Sequence, residues 1–195
     1  MLIPNTPMVY TMIAIDPGSN ITGVSRFDID VRNKKILSIH TWRIDVNKLK
    51  NDTGLPEEMF SERMIRYYKL RNEFIRILHR ENPHYVAYEG PFMNKLQPSA
   101  YGPLVSVMTI LQDALVQYCP GNPFYITQPQ QVKKAVGVAG KKGKGVIKEA
   151  IEKIPELMEA LKAGQTKLDE LDDNAIDSIA VGYSALKLDI YQGVP

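Results

Sequence analysis

The run Ile13-Ala14-Ile15-Asp16-Pro17-Gly18-Ser19-Asn20-Ile21-Thr22-Gly23-Val24 admits few folds. Apolar residues lead up to a single carboxylate, Pro17-Gly18 breaks the strand, and Thr22-Gly23-Val24-Ser25 starts a second strand able to pair back antiparallel. Asp16 is thereby delivered to the open end of a sheet, where sites are commonly built. An aspartate that only caps its own turn would fit the same local pattern.

The pattern recurs in Tyr85-Val86-Ala87-Tyr88-Glu89-Gly90-Pro91-Phe92, where a short apolar strand again runs into a carboxylate followed by glycine and proline. A third acidic group opens the helix expected from Leu171-Asp172-Asp173-Asn174-Ala175-Ile176-Asp177-Ser178-Ile179-Ala180-Val181-Gly182-Tyr183. Asp173 and Asp177 are four apart and share a face of that helix. Asp172 and Asp173 also read as caps that complement the helix dipole. Asp177 lies inside an apolar stretch, where an unpaired charge is costly.

Carboxylates gathered from two strand ends and a helix repel one another unless a cation lies between them. An all-carboxylate site suits Mg²⁺ or Mn²⁺, and two such ions roughly 4 Å apart can clamp the attacking water and the leaving oxygen of a phosphodiester. The chemistry implied is hydrolysis of a nucleic-acid backbone. His40, His79 and His84 are scattered and Cys119 is alone, so no zinc-ligand spacing competes.

These residues also carry a family resemblance. Asp16-Pro17-Gly18-Ser19 with Thr22-Gly23, Glu89-Gly90-Pro91-Phe92-Met93-Asn94-Lys95, Gln131-Val132-Lys133-Lys134-Ala135-Val136-Gly137 and Ala175-Ile176-Asp177-Ser178-Ile179-Ala180 resemble, in order and spacing, the successive blocks of RuvC-type Holliday junction resolvases. The resemblance implies a ribonuclease H-like fold and a homodimer. It further implies two Mg²⁺ ions per site, replaceable by Mn²⁺, and paired symmetric nicks across a four-way DNA junction that leave 5′ phosphate and 3′ hydroxyl ends. Asp16, Glu89 and Asp177 match acidic catalytic positions of that family. The family's fourth ligand stands three residues before the last aspartate, and that position here is Asn174. Either the neighbouring Asp173 or the amide oxygen of Asn174 would complete the set.

Lys133, Lys134, Lys141, Lys142, Lys144 and Lys148 are concentrated in a stretch without acids, although the whole chain carries only +2. Lysines in a glycine-spaced loop can track phosphates; a solvated surface loop is the alternative. Gly137, Gly140, Gly143 and Gly145 fit neither the spacing of a P-loop nor its Lys-Ser/Thr ending, and no nucleotide cofactor is expected. By the resemblance, Lys133 and Lys144 fall at the family's basic active-site positions, Lys144 steadying the leaving charge. Phe92 would offer a stacking face to a base unpaired at the crossover, or else pack against the following helix.

With 195 residues and no linker, the chain reads as one α/β domain spanning residues 1–195. The fold expected is a five-stranded mixed sheet flanked by helices, its first three strands antiparallel. A third strand is expected over 35–44, a long helix over 56–81 ended by Asn82-Pro83, a fifth strand over 124–127, and a helix over 146–163 kinked or split by Pro155. Residues 101–118 form a helix apolar nearly all round, which requires cover from the monomer's own core or from a second subunit. The amino terminus lacks a signal-peptide pattern, no stretch approaches a membrane span, and a lone cysteine points to a reducing cytoplasm.

Two other classes share features with this chain. An actin- or sugar-kinase-like phosphotransferase opens its nucleotide site with a similar strand, aspartate and Gly/Thr turn, but needs two such domains. A non-catalytic junction-binding module would follow if Asn174 had abolished cleavage, and a broader debranching nuclease would cut forks and flaps as well.

Overall fold

The structure is a computed structural model that describes residues 8–56, 58–92, 98–141, 143 and 145–192. Strands β1 (Val9–Asp16), β2 (Ile21–Asp30), β3 (Lys35–Asp45), β4 (Tyr85–Glu89) and β5 (Phe124–Thr127) form one sheet in the order β3-β2-β1-β4-β5. The first three strands are antiparallel, and β4 and β5 run parallel to β1. This is the mixed sheet that the sequence predicts.

Met12, Ile13, Ala14 and Ile15 of β1 are all fully buried, as a strand covered on both faces requires. Their alternation divides the core in two. Met12 and Ala14 pack with Phe27, Ala87 and Ile179 on one face, and Ile13 and Ile15 pack with Phe74, Val86 and Val107 on the other. Helices α1 (Glu62–Glu81) and α2 (Tyr101–Tyr118) cover the second face. Helices α3 (Pro129–Ala135), α4 (Val146–Ile151), α5 (Pro155–Ala163) and α6 (Asp173–Ala185) belong to the first.

Helix α1 starts later than its apolar periodicity suggests, because the hydroxyl of Ser61 accepts the Met64 N–H at 3.3 Å and so fixes the first turn. It stops where expected, with Asn82 in the left-handed conformation (φ 44°) before Pro83. Pro155 splits the helix expected over 146–163 into α4 and α5, taking the first position of the latter. The short helix α3 lacked a periodic signal of its own. It is entered through Pro129, with the side chain of Gln131 accepting the Gln128 N–H at 2.8 Å.

Helix α2 is not enclosed by the monomer. Val107, Met108, Leu111, Ala114 and Leu115 form the buried stripe, whereas Val116 is 55% exposed. Among the described residues no helix is long and apolar enough to cross a membrane.

Helix α6 lies very close to the sheet. A Cβ on Gly182 would stand 2.2 Å from the buried ring of Phe27 and 2.9 Å from the Cβ of Ala14. Gly182→Ala should therefore lower stability by about 1–3 kcal/mol through overpacking, even though alanine is the better helix former by about 1 kcal/mol. Urea denaturation measures this, and a stabilised variant would show that α6 has room to move.

Candidate active site

Asp16 ends β1 and lies opposite Gly23 of β2. On its other side Ile15 pairs with Tyr88, so Glu89, the next residue of β4, emerges at the same end of the sheet. The turn between β1 and β2 is closed by Thr22, whose hydroxyl donates to the Gly18 carbonyl at 2.8 Å and accepts the Gly18 N–H at 3.3 Å. Asp16 is thus more than a cap for its own turn, since its carboxylate faces other elements.

The third element is the first turn of α6. A Cβ on Gly23 would lie 1.9 Å from the carbonyl oxygen of Asn174, so only glycine lets this turn rest on the backbone of β2. The contact brings the side-chain amide of Asn174 to Asp16, to which it donates at 3.3 Å. One further bond holds the helix there, the Ser25 and Ser178 hydroxyls meeting at 2.6 Å, and within the helix Ser178 also donates to the Ala175 carbonyl at 2.7 Å. Asp172 is the N-cap, one oxygen accepting the Ala175 N–H at 3.0 Å and the other the guanidinium of Arg43 at 2.8 Å. Asp172 therefore fills the capping role, and Asp173 is left exposed on the face it shares with Asp177.

The electrostatics show that the acids sense one another. Burial, and then the charges of Glu89, Asp177 and Asp172, push the Asp16 carboxyl well above the usual carboxylate range, against the opposing bond from Asn174. Glu89 is raised to about 7 by burial and by Asp177, and Asp177 to about 6 by burial and by Asp173. Lys133 opposes both of the latter shifts. Among the described residues no three His, Cys, Asp or Glu side chains stand close enough to hold one ion, so the acids are neighbours rather than a closed cage. Their chemistry nevertheless fits a hard divalent cation: the donors are carboxylates, and burial leaves their charge poorly compensated.

Lys133 on α3 lines two clefts. One, of about 280 Å³, also contains Asp173 and Asp177. The other, of about 700 Å³, contains Phe92, Gln130, Lys134 and Lys141. Phe92 is 57% exposed, which answers the question left by the sequence: it is not packed away against α2. Lys148 is engaged by Asp169 at 2.6 Å. Lys142 and Lys144, and Met93, Asn94 and Lys95 of the second block, lie outside the described residues. Sequence reasoning missed Arg43 and the steric role of Gly23. The first had no local signal, and the second was visible only as part of a Thr-Gly pair.

No family model matches the chain, and no curated protein matches it. Solved structures do. Thermus thermophilus RuvC in complex with a Holliday junction substrate is 18% identical, with a TM-score of 0.63 over 91% of this chain and 94% of that one. The yeast mitochondrial Holliday junction resolvase Ydc2 is 14% identical, with a TM-score of 0.57 over 97% of this chain and 81% of that one. The fold is that of the RuvC-type resolvases. On this RuvC-like ribonuclease H fold, Asp16, Glu89 and the first turn of α6 share one end of the sheet, with Lys133 beside them.

A carboxyl whose folded pKa is raised binds more protons in the native than in the unfolded state, so its protonation stabilises the fold at low pH. For Glu89 that contribution is complete below the unfolded value of about 4.3 and is lost as pH rises through about 7. With a chelator present, Glu89→Gln should raise the melting temperature at about pH 8, the gain fading toward pH 4–5. Thermal melts across this range test it; an equal change at both ends would mean that Glu89 is not held against its charge.

Proposed function

We propose that this chain is a divalent-metal-dependent endodeoxyribonuclease, a single nuclease domain that acts as a homodimer on branched DNA and above all on four-way junctions. The observation that carries the reading is the mutual repulsion of Asp16, Glu89 and Asp177 as neighbours at one end of a RuvC-type sheet, next to a cleft lined by lysines and an exposed phenylalanine. The Thermus RuvC structure of the same fold holds a Holliday junction substrate, which supports the choice of DNA over other phosphodiesters.

Asp16, Glu89 and Asp177, with Asp173 or the amide oxygen of Asn174, would hold Mg²⁺, or Mn²⁺ in its place. Bound there, such ions supply an activated water and charge stabilisation for an in-line displacement leaving 5′ phosphate and 3′ hydroxyl ends. The chain's own groups do the rest. Lys133 sits where a phosphate beside Asp177 and Glu89 would need a cation. Phe92 offers an uncovered face to an unstacked base, a contact worth about 1–3 kcal/mol. Lys134 and Lys141, with Lys142 and Lys144 of the same loop, would follow the backbone beyond the cut, and Lys144 would steady the leaving charge.

The dimer finds support in the surface around α2 and the sheet edge, where Val116, Phe124 and Ile126 are 55%, 43% and 45% exposed. A second copy covering this apolar face would present two sites related by a two-fold axis, matching the symmetry of a four-way junction.

A nicking assay decides the matter, with Mg²⁺ and a labelled four-way junction compared against a linear duplex and a three-way fork. Paired symmetric cuts confined to the junction are expected, and Asp16→Asn, by removing a metal ligand, should abolish nicking while junction binding survives. Equal cutting of forks would broaden the activity to general debranching. Tight binding without cutting would make the protein a junction-binding module, with Asn174→Asp the variant to restore cleavage. Joint loss of binding and cutting would make Asp16 structural.

A further inference from the structure

Among the described residues, the lysines at the site lie on one side of the sheet. Val132 of α3 packs into the cluster that holds Met12 and Ala14, so Lys133 and Lys134 belong to that face. The opposite face ends in the first turns of α1 and α2, and the arginines of α1 fall into two groups.

From Arg71 onward every arginine of α1 is matched by an acid. Arg71 pairs with Asp113 at 2.7 Å, Arg76 with Asp52 at 2.5 Å and Glu73 at 2.8 Å, and Arg80 with Glu81 at 2.6 Å. In the first two turns, Arg63 and Arg66 form no ion pair among the described residues. Such an imbalance on one helix is not expected of a surface selected only for solubility, where both signs are interspersed.

Topology sets where these two arginines stand. A short connection through Asn82 and Pro83 makes α1 run back alongside β4, so its amino-terminal end is level with Glu89 and Asp16. The position is confirmed by Arg66, whose Nη1 donates at 3.0 Å to the side-chain oxygen of Asn20, four residues after Asp16 in the same turn. Arg66 is half-buried, and its Nε is buried without a partner, so the stem is fixed while the charge is not neutralised. Arg63 is exposed and lies one turn before Tyr67, whose hydroxyl donates to the Pro103 carbonyl of α2 at 3.4 Å. It therefore projects on the side of α1 that faces α2, beyond the last residues of the sheet.

We infer that Arg63 and Arg66 form a second phosphate-binding flank, which grips the backbone of a DNA arm on the opposite side of the acidic turn from Lys133, Lys134 and Lys141. The inference rests on the reading of the acidic end as a site that works on DNA, and it adds where the duplex runs: across the open end of the sheet, held from both faces. Guanidinium groups suit this role, because their fork of N–H donors matches a phosphate and their charge does not titrate.

The test is equilibrium binding of the full chain to a fluorescent four-way junction in chelator across a salt series. Each neutralised phosphate adds about 0.9 to the steepness of log affinity against log salt for duplex DNA. Arg63→Ala with Arg66→Ala should make the slope shallower by about 2 and weaken binding about tenfold or more at low salt. Arg71→Ala, which removes a cation already paired, should leave the slope unchanged. Should the double variant fail to fold by circular dichroism, Arg63→Ala alone should reduce the slope by about 1, and Arg63→Lys should restore it. An unchanged slope in a folded variant overturns the inference, whether or not the wild type nicks junctions. A reduced slope with no nicking by the wild type supports the flank and sinks the nuclease reading. A wild type that binds no DNA overturns both.

Discussion

The first turn of α6 rests directly on the backbone of β2 at Gly23, and the acidic end of the sheet depends on that contact. A side chain there would stand 1.9 Å from the Asn174 carbonyl oxygen and would push the helix away from Asp16. A second glycine contact, Gly182 against Phe27 and Ala14, seats the same helix further along, and the hydroxyl pair of Ser25 and Ser178 lies between the two. Backbones that approach this closely leave little freedom for the helix to slide or roll. The carboxylates of β1 and α6 are thereby set against each other by main-chain packing rather than by any attraction of their own.

Such packing is needed because the carboxylates oppose it. Burial and mutual repulsion raise Asp16, Glu89 and Asp177 above their ordinary range, with Lys133 and the Asn174 amide giving only partial relief. A rigid scaffold that carries unfavourable charge at one end is a common arrangement for sites that await a cation or a charged substrate. The neighbouring Asp172 shows the contrast: its two oxygens are taken by the Ala175 N–H and by Arg43, and its part is structural. Of these two adjacent aspartates Asp172 is engaged in this way, whereas Asp173 is exposed.

The strands, the long helices and the carboxylates at the ends of β1 and β4 could be read from the chain, because each depends on local pattern: apolar runs that stop at an acid, a 3.6-residue period, a proline or glycine at a boundary. The same holds for the division at Pro155. Local pattern did not reveal α3, which is too short to show a period, or the late start of α1, which turns on one capping hydroxyl at Ser61. Nor did it reveal whether Phe92 is covered or open, since a phenylalanine after a strand serves either purpose.

By itself the sequence determined that carboxylates would be carried on two strand ends and a helix start, because the periodicity of each segment places them whatever surrounds it. Tertiary structure alone decided which of them face one another. The pairing of Ile15 with Tyr88 sets Glu89 beside Asp16, and the absence of a Cβ at Gly23 sets Asn174 there as well. The same is true of the cations: Arg43, Arg66 and Lys133 lie far apart in the chain and have no common motif. Their positions around the acids follow from strand order and from the two faces of the sheet, which are properties of the assembled fold and of no single segment.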